Sequence, residues 1–368
     1  MKNTFSAILL LVFTYTHSQV KPITLEPDGG NKKASVSEQI GIVKISIDYN
    51  RPGVKGREGK IWNTPIAHYG FVDLGHGTSH AAPWRAGANE NTTISFSHPV
   101  KVEGKDIAAG VYGFFIALGE QEDVLIFSKV NNSWGSFYYD STQDALRVVV
   151  KNKNLDHSVE WLRYDFADET DSTVNIALSW EKRMIAFKVE ADTKALQMQA
   201  FISDFRTTRP YYDFIDAANW CIKNNYGLEQ ALAWMDRAIY FRIMGEKNFR
   251  SLSTKANVLI KLNRIDEAKK VMEEAIPLGS MTDIHFYGRQ LISLKQVDEA
   301  LKVFQSNYNK YPKQYTTEVG LGRAYSAKGN YKQALTYMEA ALLHTPDDGS
   351  KNNVQAMIIK LKQNQDIN

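Results

Sequence analysis

Four phrases decide how the second half of this sequence folds: Leu228-Glu229-Gln230-Ala231, Ile265-Asp266-Glu267-Ala268, Val297-Asp298-Glu299-Ala300 and Tyr331-Lys332-Gln333-Ala334. In each, an apolar residue and two polar ones lead to an alanine, and successive alanines lie 37, 32 and 34 residues apart. Four positions after the alanines stand Met235, Met272, Phe304 and Met338, on the same helix face as the alanine they follow. A second small residue comes three positions later in Ala238, Ala275 and Ala341, while Asn307 breaks the rule in the third copy. A helical period holds from about Thr193 to the end, with Pro and Gly falling where turns are needed. Repetition near 34 residues is the mark of stacked helix pairs, each too small to bury its own apolar face.

These positions resemble the tetratricopeptide repeat. The fourth copy carries Leu321, Gly322, Tyr325, Ala334, Ala341 and Pro346, and Pro312 stands at the equivalent turn of the third. The first copy, from about Tyr211, is degenerate, with Asn219 where a small residue is expected and Trp220 beside it. The resemblance implies a curved array whose first helices line a concave side. Aligning on the alanines puts Trp220, Asn257, Arg289 and Arg323 at one inward position, with Arg250, Lys261 and His285 nearby. A polar, partly cationic groove of this kind suits an acidic or carboxylate-bearing peptide. The alternative is that so short an array only rigidifies the other half of the chain.

Ahead of the helices the period is two. Val43, Ile45, Ile47 and Tyr49 make one apolar face, and further strands are expected over 92–97, 111–118, 123–130, 145–151, 159–166, 173–180 and 184–190. Eight short strands without a helical segment among them point to an all-β antiparallel sandwich or open barrel, followed by an all-α repeat solenoid. The expected layout is a signal peptide over 1–18, a polar linker over 19–36 and the β-domain over 37–192. A connecting helix over 193–210, four repeats over 211–348 and a C-terminal helix and tail over 349–368 complete it.

Four phrases of the β-half are unusual: Arg51-Pro52-Gly53-Val54-Lys55-Gly56-Arg57, Trp84-Arg85-Ala86-Gly87-Ala88-Asn89-Glu90, Ala108-Ala109-Gly110-Val111-Tyr112, and Trp134-Gly135 with Tyr139, Asp144 and Leu146-Arg147-Val148 behind it. In this order they resemble the bacterial family known as domain of unknown function 2911, over about residues 37–190. The stretch from Phe71 to Pro83 departs from that pattern as a longer loop. The resemblance implies a fold and an exported location, and transfers no catalytic residue.

The residues themselves suggest two sites in this half. Alternation puts Glu90 on the side of Thr92, Ile94 and Phe96, at the edge of the apolar face. A carboxylate there needs a partner, with Arg85 and Arg147 as candidates. The site is either a structural ion pair or a small polar pocket lined by Arg85, Asn89, Glu90 and Arg147, with Trp84 or Trp134 as an apolar wall. His76 and His80 are a weaker metal-binding pair, because Gly75 and Gly77 argue for a loop and spacing supplies no third ligand. No cofactor is expected, since there is no nucleophile elbow, phosphate-cradling loop or dinucleotide fingerprint. Cys221, the only cysteine, sits beside Trp220 in a helical segment and reads as a packed thiol.

Composition sets the bounds. The chain has 368 residues, 43% hydrophobic and 23% charged, so it buries real cores. A net charge of +3 offers no general footprint for nucleic acid. Lys2, the apolar run Ala7–Phe13 and the small residues near Ser18 have the order of a secretory signal, too short to span a bilayer. The expectation is a periplasmic or secreted binding or scaffold protein with a protein or peptide partner, no nucleic acid and no membrane span. The alternative is a hydrolase, metal-assisted or not, acting on a small polar or glycan substrate at the Arg85, Asn89 and Glu90 region.

Overall fold

The computed structural model describes residues 30–368. The segment read as a secretory signal, and most of the expected linker, lie outside the described residues. The chain divides between Leu196 and Gln197 into two compact units.

The first unit is one antiparallel sheet. Its strands are β1 (Lys32–Ile40), β2 (Val43–Arg51), β3 (Thr92–Phe96), β4 (Val100–Val102), β5 (Lys105–Ile107), β6 (Gly110–Ala117), β7 (Glu122–Ser128), β8 (Asp144–Ala167) and β9 (Thr173–Glu190). They lie in the order β1-β2-β3-β6-β7-β8-β9-β4-β5. The sheet rolls over a single core. β8 gives its first third to β7 and the rest to β9. Phe187 of β9 meets Phe114 and Phe127, and Tyr164 of β8 meets Tyr49 and Phe114. The end of β2 then reaches the middle of β8, where Val54 N donates to Glu160 O at 2.7 Å and Leu162 N to Pro52 O at 3.0 Å.

Several expected strands change shape. β1 begins at Lys32, inside the stretch read as linker to residue 36; as an edge strand exposed on one face, it needs no strong apolar alternation. The pairs expected over 145–151 with 159–166, and 173–180 with 184–190, are the halves of two bent strands. The breaks in pattern mark register shifts near Val159 in β8 and a left-handed Glu181 (φ 49°) in β9. β4 and β5 have only three residues each and were missed; Glu103 and Gly104, both at positive φ, turn them into a hairpin.

Tryptophans and one ion pair fill the bend. Trp84 stacks on Trp180 at 6.2 Å, with Trp62 edge-on to both. Arg183, lying over Trp62, donates to the fully buried Asp123 at 2.6 Å and to Tyr69 at 3.1 Å.

The second unit continues α1 (Thr193–Asp204) into four helix pairs, α2 (Tyr211–Asn224) with α3 (Leu228–Tyr240), α4 (Phe249–Lys261) with α5 (Ile265–Ala275), α6 (Met281–Ser293) with α7 (Val297–Lys310), and α8 (Tyr315–Ala327) with α9 (Tyr331–Leu343). α10 (Asp348–Lys362) packs on the last pair. All four repeat alanines are buried, and so are Met235, Met272, Phe304 and Met338. Small residues are required where helices cross: a Cβ at Gly288 or Gly320 would come within 2.4 Å of the Phe304 ring. Asn307 fits because its Nδ2 donates to the Met281 carbonyl at 2.9 Å, tying α7 to the start of α6.

Two details differ from a uniform array. In the first pair the buried small residue is Ala218, one position before Asn219, and the turn that follows uses left-handed Asn225 and Gly227. Between the second and third pairs, α5 and α6 approach less closely than the helices at other junctions. An apolar cavity of about 220 Å³ remains there, lined by Ile260, Ala268, Met272, Tyr287, Leu291 and Leu294 among others.

Candidate functional site

The groove residues are best followed helix by helix. On α4, Asn257 accepts from Gln290 of α6 at 3.2 Å, while Lys261 is exposed. Arg250, the second residue of α4, pairs with Asp216 of α2 at 3.4 Å. On α6, His285 is buried, edge-on to Phe304 at 5.6 Å and Phe286 at 6.0 Å, and its Nδ1 has no partner. Burial first, and the charges of Arg289 and Arg323 after it, hold the imidazole down to about 4, so it is neutral at pH 7. Arg289 is exposed on the same helix. Burial and then the Arg289 charge also push the Arg323 guanidinium of α8 down. Thus the charges of Arg289 on α6 and Arg323 on α8 both act at His285.

Trp220 does not join them. Because Ala218 takes the small position, Trp220 turns to Phe201 of α1 at 5.6 Å and to Tyr226 at 6.4 Å, and serves packing. Cys221 behind it is fully buried, and burial pushes its thiol up to about 11.

The last repeat is already occupied. Arg323 Nη1 donates to the Ile367 carbonyl at 3.0 Å, Ser326 Oγ donates to Asp366 Oδ1 at 2.6 Å, and Ile367 N donates to Ser326 Oγ at 3.1 Å. Asn368 Nδ2 reaches the Arg323 carbonyl at 3.0 Å, and the Ile367 side chain is buried with Val319 and Met357. No signal in the repeat pattern points to this grip, which depends on where residues after α10 turn.

In the β-unit the pocket expected around Arg85, Asn89, Glu90 and Arg147 is not assembled. Glu90 bonds Lys33 at 2.9 Å and Asn50 at 2.7 Å, neither of them an expected partner; the Lys33 bond holds its carboxyl below the usual range. Lys33 lies on β1, the strand hidden in the supposed linker. Arg147 lines a different cleft, beside Phe71, bonded to Asp144 at 2.6 Å and to Tyr139 at 2.7 Å. Trp84 is a core residue, and Trp134 is half exposed and lines none of these clefts. Arg85 and Asn89 share a smaller cleft with Arg57, which the sequence reading did not include. His76 lies edge-on to Phe137, and His80 bonds Asp73 at 2.7 Å. Among the described residues no group of three His, Cys, Asp or Glu side chains gathers to hold a metal, and no helix is long and apolar enough to cross a membrane.

Comparison with known proteins places these parts. Residues 31–189 match the family model described as a protein of unknown function (DUF2911), and residues 249–278 and 291–358 match models of the tetratricopeptide repeat. No curated protein matches the chain. Among solved structures, YrrB, described as a TPR protein with an unusual peptide-binding site, is 22% identical, with a TM-score of 0.28, covering 48% of this chain and 85% of that one. MamA of AMB-1 is 14% identical, with a TM-score of 0.28, covering 41% of this chain and 88% of that one. The chain carries a DUF2911 family domain followed by tetratricopeptide repeats.

Proposed function

We propose that the array is a peptide-binding scaffold, and that the face built from α4 and α6, beside the α8 surface covered by residues 366–368, takes an extended segment bearing carboxylates. One observation carries this reading: α8 grips residues 366–368 through the Arg323 guanidinium, the Ser326 hydroxyl and the Asp366 carboxylate. Arg289 repeats the Arg323 position on α6, and among the described residues no hydrogen bond or ion pair engages it. An acidic segment laid along α6 would meet Arg289 and Lys261 by charge-assisted hydrogen bonds, with Phe286, 60% exposed, as an apolar contact. Export, suggested by the first 18 residues, belongs to the same proposal, and amino-terminal sequencing of the secreted chain should then begin near Gln19.

Hydrolysis at Glu90 is not part of the proposal. Its carboxylate is paired with a lysine and held below the usual range, the opposite of what a general acid at neutral pH requires.

Fluorescence anisotropy with labelled peptides tests the groove. Acidic peptides should bind, basic ones of equal length should not, and Arg289→Glu should weaken binding by at least about tenfold with unchanged helicity. Equal binding of acidic and basic peptides, or indifference to Arg289→Glu, would remove the groove as the site.

A further inference from the structure

Two of the unusual phrases of the β-unit converge on one cleft of about 260 Å³, and a further phrase, Trp134-Gly135, backs it. It is lined by Pro52 and Arg57 from the first phrase, Arg85, Gly87 and Asn89 from the second, and Trp180 of β9, with Asn31, Ile66 and Ala88 completing it. The two arginines are both half buried, and both are held only by neutral groups. Arg57 donates to the carbonyls of Val54 at 2.9 Å and Gly53 at 2.7 Å, and Arg85 donates to the Asn89 carbonyl at 2.8 Å. Among the described residues neither forms an ion pair, and no carboxylate lines the cleft. Two cations withdrawn from water at one place, without a counter-charge, repel each other and lose hydration. Beside them the fully buried Trp180 keeps an indole N–H with no acceptor. All of these are donors, and the protein supplies nothing ionic for them to hold.

The cleft is also held in shape. Ala86 and Asn89 take the left-handed conformation, with φ of 52° and 57°. Ala86 is pinned there by bonds to its carbonyl from Thr92 Oγ1 at 3.0 Å and Tyr164 Oη at 2.8 Å. Strain fixed in this way is characteristic of binding loops. The Trp134-Gly135 phrase enters through Arg85, whose guanidinium lies over the Phe137 ring at 5.0 Å and against the backbone of Gly135. A Cβ at position 135 would stand 2.2 Å from Arg85 Cζ, so glycine there is what lets the guanidinium lie in place.

We propose that this cleft binds a small oxyanion, free or as the head of a larger molecule, with Arg57 and Arg85 as its charged anchors. Planar guanidinium forks match the oxygens of a phosphate or carboxylate better than a spherical ion. The volume suits one such group and excludes most drug-sized ligands. The site is independent of the peptide groove, so either can fail without the other.

Calorimetric titration of the full chain tests it, with inorganic phosphate in one arm and succinate in the other, at an ionic strength fixed with sodium chloride. Saturable binding of one or both is expected, and the arm that binds more tightly names the head group. Arg57→Gln and Arg85→Gln should each weaken binding by at least about tenfold. Gly135→Ala should weaken it too, although both charges remain, and Arg147→Gln, in the other cleft, should leave it unchanged. Should Arg85→Gln fail to fold, Arg57→Gln carries the test, since only two carbonyls depend on that side chain. Absence of saturation with both probes, indifference to Arg57→Gln, or an equal loss in Arg147→Gln would overturn the proposal.

Discussion

In the β-unit, Arg183 reaches Asp123 across 60 positions of sequence, out of contact with water. In the helical array, Asn248 satisfies the start of α4 by bonding Ser251, three positions on. The two units meet the same demand, partners for polar groups taken out of water, at opposite ranges. Where partners are distant, one loss is felt by the entire sheet. Where they are neighbours, the damage stays within a repeat, since each helix pair contacts only the next.

Substitutions can break this contrast or sharpen it. The largest effect is expected from Asp123→Ala, which strands the Arg183 charge in the core and should cost about 3–5 kcal/mol. Hydrogen exchange should then rise across β6 to β9 together; a rise confined to β7 would contradict the long-range account.

A smaller effect comes from pH: burial holds His68 of the β-unit below its usual value, and in the array the effect comes from His285. The His285 imidazole is held at about 4 in the fold against 6.5 when exposed, so the folded state binds its proton later than the unfolded one. The stability this brings is complete above about 6.5 and is lost as pH falls towards 4, on the order of 3 kcal/mol at about 1.4 kcal/mol per pKa unit. Urea midpoints followed by far-ultraviolet dichroism between pH 4.5 and 7 should show the slope, and His285→Phe should flatten it.

The smallest expected effect is that of Asn248→Ala, about 1 kcal/mol for a lost helix cap, with faster exchange limited to the first turn of α4. Exchange spreading into α8 would show the repeats to be coupled more tightly than nearest neighbours.

The same contrast explains what could be read from sequence. Repeat alanines and their apolar followers are local patterns, so α3 to α9 could be placed from spacing. The first repeat was legible as a degenerate copy, but its inward position was not, because the buried small residue is Ala218 and Trp220 turns to packing. In the β-unit, strand faces were legible, but which loops meet was not. Glu90 found Lys33 on a strand hidden in a polar stretch, and Arg85 found Arg57 rather than Arg147. Periodicity names the residues of a strand; only the roll of the sheet says which ends come together.

The cavity between α5 and α6 has a mechanical side. The helix pairs before and after it are tightly knit, so a load on the array is relieved where apolar surfaces are already apart and the Gln290–Asn257 hydrogen bond at 3.2 Å has to give. The curvature of the solenoid is therefore softest at its midpoint. A bound chain crossing from α4 to α6 would set the angle of that joint, making the array a caliper whose opening depends on what it holds.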